Sequence, residues 1–529
     1  MKQFDTFGVM IDCSRNAVMT PESLKKFIRL IAKMGYNQLQ LYMEETYEVD
    51  GEPYFGYLRG RYTQNELRDL DAFAASEGVE LVPCIQTLAH MNAAVRWPKY
   101  AAITDTRDIL LVGDERTYDL IEHMFSSLRK CFRSGKIHIG MDEAAMLGRG
   151  RYMDIHGKQD TSEILLSHLN RVCEIADRYG FRPMMWSDMF YRIACGGEYY
   201  SHKAKFDSSV SEKIPDNLSL VYWDYYHTKK ESYVRMIRGH RQITDRVSFA
   251  GGIWKWIGFS SHNDYSIRAT KAALSACIQE GVRDVVLTMW GDDGAEASSF
   301  SVLPGLCYAA CLAQGITDRK EIEEKFRAWT GYEFSNFMLL DLPDRPEKTY
   351  GTVCPGKYLL YNDCFMGIME PAARPEYAKK YASYARKLKN ASKRAGEFAY
   401  LFESAAALCR VLSVKSVICT ETRRVYRSGS KDEGKQLLRV YDKMIRYTED
   451  FYRLFREQWY AENKPHGFDV QDIRLGGLIG RMRNCRERIS DWVEGKTTSI
   501  PELEEELLPY ITHMCYFNDW KQTVTANVL

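Results

Sequence analysis

The chain lacks the features that assign a sequence to several special classes. Its charges nearly cancel, with 72 Lys and Arg against 71 Asp and Glu, whereas nucleic-acid-binding domains usually carry a clear basic excess. Its 14 cysteines are scattered and form no CxxC pair, which argues against a zinc site and against a disulfide framework. We therefore expect no nucleic-acid partner, no metal and no organic cofactor.

The chain also has no segment typical of secretion or of a membrane span. Met1–Asp5 is not a basic region followed by an apolar run, as a secretory signal would be. The longest uncharged stretch lies between Glu296 and Asp318, and Pro304 and Gly305 inside it favour a helix with its leading segment. We expect a cytoplasmic protein without a membrane partner, in which the cysteines are reduced thiols.

What the chain does have is a regular alternation of short β-rich runs and amphipathic helical patterns, which favours a parallel sheet with crossover helices. Most of the runs carry β-branched or large apolar residues, as strands buried on both faces do. Eight such units in sequence favour a closed (β/α)₈ barrel over an open doubly wound sheet, and the absence of a GxGxxG after the first run also counts against a dinucleotide-binding fold. The eight predicted strands are Phe7–Asp12, Gln38–Met43, Glu80–Ile85, Lys136–Gly140, Arg182–Trp186, Ser219–Trp223, Val247–Ile253 and Asp284–Trp290.

The pattern changes in the last third of the chain. Segments such as Glu376–Phe402 and Asp432–Arg456 are long, charged and helical in period. We predict a barrel domain at 1–345 and an α-helical domain at 346–529. Because long amphipathic helices often bury a face against another subunit, we expect a homodimer formed through this domain. The loop Asn463–Asp469 either reaches a pocket of the partner or packs against the outer helices of its own barrel.

Barrel enzymes carry their catalytic groups at the C-terminal ends of the strands, and the fourth predicted strand runs into Asp142 and Glu143. Adjacent side chains diverge, so two neighbouring carboxylates can approach one substrate from different angles. Their like charges push the two pKa values apart and raise one of them, as a general acid at neutral pH requires. A solvated loop pair, or a cap of the next helix, is the alternative explanation for an isolated Asp-Glu pair.

Tryptophan is scarce, with 10 in the chain, yet half of them fall at the ends of four successive strands. Any single Trp there would be explained by packing between strands and helices. Four successive strands that end in this way favour a pocket with aromatic walls, which suits a sugar because pyranose C–H faces pack on aromatic rings. The five are Trp186, Trp223, Trp254, Trp256 and Trp290.

Polar residues accompany these tryptophans. Asp224 and Tyr225 follow the sixth strand, and Asp292 and Asp293 follow the eighth. The aspartates also fit ordinary loop positions, and Asp292 is the one that we nominate as an acceptor for a sugar hydroxyl.

With these residues in place, the sequence resembles the glycoside hydrolase family 20 β-N-acetylhexosaminidases, whose strand-four motif reads roughly His-x-Gly-x-Asp-Glu. The resemblance covers roughly Phe7 to Leu303, and Trp290-Gly291-Asp292 resembles the family's Trp-Gly-Glu. The matching segments are His138–Glu143, Met10–Asn16, Asn37–Tyr42, Tyr62–Leu67 and His90 after strand three.

The resemblance implies a substrate-assisted, retaining mechanism rather than the usual scheme of two enzyme carboxylates. The 2-acetamido oxygen of the substrate attacks the anomeric carbon and forms an oxazolinium ion. By the resemblance, Asp142 holds the acetamido N–H and stabilises its positive charge, while Glu143 protonates the leaving oxygen and then deprotonates water.

The resemblance also assigns binding roles at the other strand ends. Trp186, Trp223 and Trp254 would form the walls of the acetamido pocket, with Tyr225 on the acetamido carbonyl. Trp290 would stack under the sugar and Asp292 would accept its hydroxyls. Glu45 aligns with an acidic residue near the pocket, although a solvated loop role is open. His90 is either a supporting hydrogen-bond partner or a core histidine, and His138 is expected to orient the loop.

Three departures from the family pattern affect these assignments. Family members commonly carry an Arg before the strand-one glycine, where it binds sugar hydroxyls; here Phe7 precedes Gly8. The strand-seven tyrosine expected at the acetamido carbonyl is not evident in Gly251–Trp256, which is why Tyr225 is nominated. Asp292 is one methylene shorter than the usual Glu. The first strand begins almost at once, so we expect no N-terminal accessory domain and a compact intracellular branch with a C-terminal helical domain.

Two alternatives to this assignment stay open. Another retaining barrel glycosidase would need two carboxylates about 5 Å apart across the scissile bond, which adjacent Asp142 and Glu143 do not suit. A non-catalytic sugar-binding barrel is the second, and the intact Asp-Glu pair argues against it. The expected substrate is a small oligosaccharide or glycoconjugate with a terminal β-N-acetylhexosamine, and the residues do not distinguish GlcNAc from GalNAc.

Overall fold

The computed structural model describes residues 3–201, 204, 206, 212–347, 353–508 and 524–527. Spatial contacts divide the chain into two compact units. The first consists of Met1–Ile253, Ser266–Trp290 and Gly305–Lys325. The second consists of Trp254–Tyr265, Gly291–Pro304 and Phe326–Leu529. The boundary between folding domains at 345/346 stays a prediction.

Eight parallel strands close into a barrel in the first unit, which confirms the predicted (β/α)₈ fold. Around the barrel the order is β1-β8-β7-β6-β5-β4-β3-β2, so each strand pairs with its neighbours in sequence and β1 closes on β8. The strands are β1 Thr6–Asp12, β2 Gln38–Tyr42, β3 Glu80–Cys84, β4 Lys136–His138, β5 Arg182–Trp186, β6 Ser219–Trp223, β7 Val247–Gly252 and β8 Asp284–Met289.

The strand β4 ends two residues earlier than predicted. Gly140 and Met141 adopt φ angles of 74° and 69°, and a left-handed backbone cannot continue an extended strand. The chain therefore leaves the barrel wall after His138 and turns at the segment that carries Asp142 and Glu143.

The helices around the barrel begin and end where the sequence provides caps. In the first one, Thr20 accepts a hydrogen bond from the Ser23 N–H at 3.2 Å, and Pro21 occupies the first turn. Gly35 ends it with a φ of 95°. The helices of this unit are Pro21–Met34, Gln64–Ser76, Asn92–Val95, Glu115–Arg129, Arg151–His156, Thr161–Arg178, Asp188–Ala194 and Lys230–His240.

Three further helices contain residues of both units, and short 3₁₀ turns and one two-stranded ribbon complete the described elements. The helices are Asn263–Glu280, Leu303–Ala313 and Arg319–Thr330. The ribbon pairs Thr104–Thr106 with Ile109–Leu110. The 3₁₀ turns are Pro98–Ile103, Asp292–Gly294, Ser299–Val302, Met338–Asp344, Glu370–Ala372 and Gly396–Phe398.

The second unit is mainly helical, as the sequence predicts. A buried ion-pair network lies inside it, in which Glu296 accepts from Lys357 Nζ at 2.6 Å and lies 3.1 Å from Arg474 Nη1. Buried charges need such partners because their desolvation is costly. Its helices are Phe334–Phe337, Pro355–Tyr361, Tyr377–Ser392, Ala399–Lys415, Ile418–Ser428, Lys431–Glu462, Phe468–Val493 and Pro501–Glu504.

The loop predicted at Asn463–Asp469 connects the two longest helices of this unit. Trp459 Nε1 donates to the carbonyl of Lys464 at 3.0 Å. The ring of Phe468 packs against Trp459 at a centroid distance of 5.6 Å, while Pro465 and His466 are exposed. The base of the loop is therefore fixed within its own unit and its tip faces solvent. None of the described helices combines the length and the hydropathy that a membrane-spanning segment needs.

Candidate active site

The loop after β4, which carries the Asp-Glu pair, contains three residues with a left-handed backbone. Gly140, Met141 and Glu143 have φ angles of 74°, 69° and 54°. A Cβ at Gly140 would lie 2.0 Å from Gln86 Oε1, so only glycine allows this approach. The Met141 N–H donates to the same oxygen at 3.0 Å. Left-handed backbone costs free energy in residues other than glycine, so the surrounding contacts must hold this loop in place.

Asp142 is largely buried and is held on both carboxylate oxygens. Gln86 Nε2 donates to Oδ1 at 2.6 Å, and His90 Nε2 lies 3.2 Å from Oδ2. Burial alone would raise the pKa of this carboxyl, but the nearby positive charge of His90 and the hydrogen bond from Gln86 lower it. Asp142 is therefore an anion whose orientation is fixed from two sides.

His90 supplies the positive charge beside this anion. Burial would lower its pKa, but the adjacent negative charge of Asp142, with the charge of Glu44, raises the pKa of His90 to about 10. Ligand atoms of His90, Asp142 and Glu143 all lie within 4.8 Å of one another, which by distance alone could surround a metal ion. The protonated imidazole of His90 places a positive charge inside this cluster.

Glu143 is the more accessible member of the pair, with half of its side chain exposed. Its Oε2 lies 3.8 Å from His90 Nε2, and its Oε1 lies 3.2 Å from Arg192 Nη2. Its N–H donates to Asp188 Oδ2 at 3.0 Å. A carboxyl that is open to solvent on one side and bounded by two cations can exchange a proton with a bound molecule.

Two adjacent glutamates after β2 have different surroundings. Glu44 has a φ of 45° and accepts from Arg15 Nη1 at 2.6 Å and from the Tyr42 hydroxyl at 2.9 Å. Gln86 Nε2 donates to that hydroxyl at 2.9 Å. Glu44 is thus connected through hydrogen bonds to the group that holds Asp142, and its charge acts on His90.

Glu45, which the sequence analysis nominates, lies in a separate ion pair. Its Oε1 accepts from Arg59 Nε at 2.7 Å, and Arg59 Nη1 also donates to Asn16 Oδ1 at 2.7 Å. Burial raises the pKa of Glu45, and the charge of Arg59 opposes that rise. These contacts tie the loops after β1 and β2 together, while Glu44 is the glutamate whose charge acts on His90.

Four of the nominated aromatic residues meet in one continuous wall, joined by a fifth ring that the sequence analysis does not nominate, Tyr42. Trp290 is its centre, with ring centroids 4.7 Å from Tyr42, 5.9 Å from Trp186 and 6.3 Å from Tyr225. Tyr225 stacks on Trp223 at 5.3 Å with an interplanar angle of 20°. The three strand ends that supply Trp186, Trp223, Tyr225 and Trp290 thus bring together four aromatic rings, the kind of side chain on which a sugar ring packs.

His138 supports this wall from below. Its Nδ1 accepts from the Gly140 N–H at 3.1 Å, and its ring lies 4.1 Å from that of Trp186. Burial lowers the pKa of His138 to about 3, so the ring is neutral and fixed in one tautomer by this bond. It connects the loop conformation to the position of Trp186.

The remaining two nominated residues, Trp254 and Asp292, belong to the second unit. Trp254 is fully buried and stacks on Trp256 at a centroid distance of 4.1 Å. Asp292 begins the 3₁₀ turn Asp292–Gly294 and is partly exposed. Their place in the same pocket as Asp142 stays a prediction.

Several residues of this cluster are absent from the sequence analysis. Gln86 lies two residues beyond the end of β3 and Asp188 two residues beyond the end of β5, so their positions at strand ends could have indicated them. Arg192, one helical turn after Asp188, carries no such signal. Arg15 and Glu44 lie within or beside matched segments, but nothing in the pattern shows that they contact each other.

Two segments of the chain match models of known protein families. Residues 4–244 match the family model described as "Glycosyl hydrolase family 20, catalytic domain". Residues 335–516 match the model described as "Glycoside Hydrolase 20C C-terminal domain". The first match contains the Asp142–Glu143 pair and the aromatic residues up to Tyr225, and the second lies in the helical part of the chain.

Individual relatives are distant. Hexosaminidase D of Bos taurus is 22% identical over 245 residues, covering 44% of this chain and 65% of that protein. Hexosaminidase D of Homo sapiens is 22% identical over 212 residues, covering 38% of this chain and 41% of that protein. The matched segments therefore span less than two thirds of either relative.

Solved structures are similarly distant. An exo-β-N-acetylglucosaminidase from Vibrio harveyi, solved with N-acetylglucosamine, is 15% identical, with a TM-score of 0.48, and covers 64% of this chain and 58% of that one. The barrel is established by its own strand pairing.

Proposed function

We propose that this chain, in which two segments match models of glycoside hydrolase family 20, is an exo-β-N-acetylhexosaminidase of that family. It removes terminal, non-reducing β-linked GlcNAc or GalNAc and retains the configuration at the anomeric carbon. The observation that carries this proposal is the state of Asp142, which His90 and Gln86 hold as an oriented anion beside the half-exposed Glu143. An anion fixed in that way suits a positive charge that develops on the substrate.

In the first step the 2-acetamido oxygen of the substrate bonds to the anomeric carbon while the bond from that carbon to the glycosidic oxygen breaks. Glu143, protonated at this point, donates its proton to the leaving oxygen. The acetamido nitrogen becomes positive in the oxazolinium ion, and Asp142 accepts its N–H. Because the nucleophile belongs to the bound substrate, its correct orientation removes much of the entropic cost of the reaction.

In the second step Glu143 acts as a base. It takes a proton from a water molecule whose oxygen bonds to the anomeric carbon, and the bond to the acetamido oxygen breaks. Two successive displacements at one carbon restore the original configuration, and Glu143 is protonated again for the next turnover.

The aromatic wall supplies the binding surface in this proposal. Trp186, Trp223 and Trp254 enclose the acetamido group, which makes that pocket selective for N-acetylated sugars. Trp290 lies under the sugar ring, Tyr225 donates to the acetamido carbonyl and Asp292 accepts from sugar hydroxyls. The support for this set is the continuous contact among the rings of Trp186, Trp223, Tyr225 and Trp290.

The test is nitrophenol release from aryl β-GlcNAc and from the matching aryl β-glucoside, with wild type and Asp142→Asn. We expect turnover of the acetamido substrate alone and a loss of about a hundredfold or more in the variant. Asp119→Asn is the matched control, since Asp119 is an exposed helical residue of the same unit, and it should keep full activity. Equal turnover of the two sugars, or indifference to Asp142→Asn, would refute the proposal.

We also propose that the chain forms a homodimer through its helical region. The helix Phe468–Val493 has an exposed face with Ile473, which is 75% exposed, and with Gly476, Gly477 and Gly480. A Cβ at any of the three glycines would meet nothing within 4 Å. Glycine inside a helix is unfavourable by about 1 kcal/mol relative to alanine, and close approach of a second helix is a physical reason to keep three of them.

Light scattering tests the homodimer. We expect twice the 61.3 kDa mass of one chain for wild type, and a monomer for Ile473→Glu, because a charge on this face opposes close packing. Ile278→Glu is the control, since Ile278 is also exposed, at 40%, but lies on another helix. A wild-type monomer at working concentrations would refute the dimer.

A cytoplasmic location is the last part of the proposal. The described cysteines are all free thiols, and all but Cys195 are buried, a pattern that suits a reducing compartment. Cell fractionation tests it, and recovery of the protein only outside the cytoplasm would contradict it.

A further inference from the structure

Two charged residues that the proposed mechanism does not use contact Glu143. Asp188 begins the helix that follows β5, and its Oδ2 accepts from the Glu143 N–H at 3.0 Å and from Arg192 Nε at 2.9 Å. Trp223 Nε1 lies 3.4 Å from Oδ1 of the same carboxyl. Arg192 then places Nη2 3.2 Å from Glu143 Oε1. Asp188 thus holds the backbone of Glu143, and Arg192 holds its side chain.

Burial makes this arrangement rigid. The side chain of Asp188 is 0% exposed and that of Arg192 is 27% exposed, one helical turn away. Burial and the charge of Asp142 raise the pKa of Asp188 to about 7, while the Glu143 N–H and the charge of Arg192 oppose the rise. A buried carboxyl of this kind needs its partners, so Arg192 is anchored at its Nε and has only its outer nitrogens available for other contacts.

The Glu143 carboxyl needs such support because little else fixes it. Its backbone has a φ of 54°, which is unfavourable for a residue with a side chain. Half of its side chain is exposed, and the His90 nitrogen is 3.8 Å from Oε2, beyond hydrogen-bond distance. Of the two basic side chains beside the Glu143 carboxyl, Arg192 is therefore the closer.

We propose that Arg192, anchored by the buried carboxylate of Asp188, is a positioning residue that orients the Glu143 carboxyl toward the glycosidic oxygen for proton transfer. This inference rests on the proposed function, in which Glu143 gives its proton to the leaving oxygen as the bond to the anomeric carbon breaks. Arg192 forms no bond with the substrate and exchanges no proton. Its contribution is the geometry of Glu143, so its loss should affect only substrates whose leaving group needs that proton.

Leaving-group dependence separates this role from a structural one. The values of kcat/KM are measured for 4-methoxyphenyl and 2,4-dinitrophenyl β-GlcNAc, because kcat/KM reports the first step and the dinitrophenolate leaves without protonation. For Arg192→Gln we expect a loss of about ten- to hundredfold with the methoxyphenyl substrate and of no more than about threefold with the dinitrophenyl substrate. Arg192→Lys, which keeps a cation, should recover part of the difference.

Controls distinguish the possible failures. Arg178→Gln removes an exposed arginine of the same unit, 58% exposed, and should leave both substrates unaffected. An equal loss on the two substrates for Arg192→Gln, or no loss on either, would overturn the positioning role. If Arg192→Gln does not fold, the same comparison is made with Arg192→Lys, and a uniform loss there has the same meaning. Wild type that hydrolyses neither acetamido substrate refutes the proposed function instead.

Discussion

The two ends of the barrel make their turns in different ways. At the N-terminal ends of the strands, the left-handed positions before β2, β3, β5 and β8 are all glycines, namely Gly35, Gly78, Gly180 and Gly281. At the C-terminal ends, the left-handed positions include residues that bear side chains, namely Asn16, Glu44, His90, Met141 and Glu143. Glycine adopts this backbone at little cost, and other residues do not. Strain is therefore concentrated at the end of the barrel that holds the carboxylates.

The surroundings of the carboxyl groups also differ between the two ends of the barrel. At the N-terminal end, Glu80 accepts from Gln38 Nε2 at 2.9 Å, Ser134 Oγ at 2.7 Å and Lys136 Nζ at 3.1 Å. These bonds outweigh burial and lower the pKa of Glu80. At the C-terminal end, the charge of Asp142 instead helps to raise the pKa of Asp188. The carboxylate at one end is satisfied by hydrogen bonds, while the other end keeps carboxyl groups close together, an arrangement that is frequent at functional sites.

The largest expected contrast comes from the same substitution at the two ends. Glu143→Gln removes the proposed acid and base, so kcat should fall by about a hundredfold to ten-thousandfold with little change in stability. Glu80→Gln should keep its activity and lose about 1 kcal/mol of unfolding free energy, because it weakens a satisfied network. Turnover assays and urea unfolding measure both. A fall in activity for Glu80→Gln without a loss of stability would contradict the assignment of stability to the N-terminal end of the barrel and of function to the C-terminal end.

A smaller effect is expected at His90, which acts through Asp142. Without the imidazolium, burial dominates and the pKa of Asp142 rises, so His90→Gln should move the acid limb of the kcat profile to higher pH. The loss at neutral pH should be about tenfold or more. His123→Gln is the control, since His123 is half exposed and pairs with Glu52. An acid limb that does not move would show that His90 leaves the protonation of Asp142 unchanged.

Asp188 should make stability depend on pH. Its pKa is about 7 in the folded chain against an ordinary value of 3.8. As the pH rises, the Asp188 carboxyl therefore ionises at a lower pH in the unfolded chain than in the folded chain. The stabilisation is complete below about pH 4 and is lost as pH rises through 7, with a slope of up to about 1.4 kcal/mol per pH unit. Asp188→Asn should remove this slope in urea unfolding between pH 4 and 7, whereas Asp119→Asn should not. An unchanged slope would mean that Asp188 titrates normally.

The barrel could be predicted because its signal is local. Each strand is a short apolar run, and the eight runs recur with helices between them. The end of β4 could not be predicted, since Gly140 and Met141 leave the strand in order to contact Gln86, which lies more than fifty residues earlier. Nor does local pattern show that 254–265 and 291–304 group with the helical residues, because that grouping depends on long-range contacts.

Part of the site could also be predicted, because some of its residues have a local signal in the sequence. Asp142 and Glu143 form a motif, and Trp186 stands at a strand end. Glu44 and Glu45 are neighbours with the same chemistry. The φ of 45° at Glu44 and the separate partners of the two residues, Arg15 and Arg59, distinguish them in the fold. A sequence pattern contains neither feature.

The smallest expected effects concern the strain of left-handed backbone, which opposite substitutions at the two ends of the barrel can measure. Leu58 is a left-handed residue in the loop after β2, with a φ of 61° and 67% exposure, so Leu58→Gly should gain up to about 1 kcal/mol of unfolding free energy. Gly78, with a φ of 75° and nothing within 4 Å of a Cβ, should lose about 1 kcal/mol as Gly78→Ala. Because Leu58 is mostly exposed and a Cβ added at Gly78 would touch nothing, the change in unfolding free energy mainly reports the backbone conformation. If both substitutions change stability in the same direction, strain does not distinguish the two ends, and the division depends on charge alone.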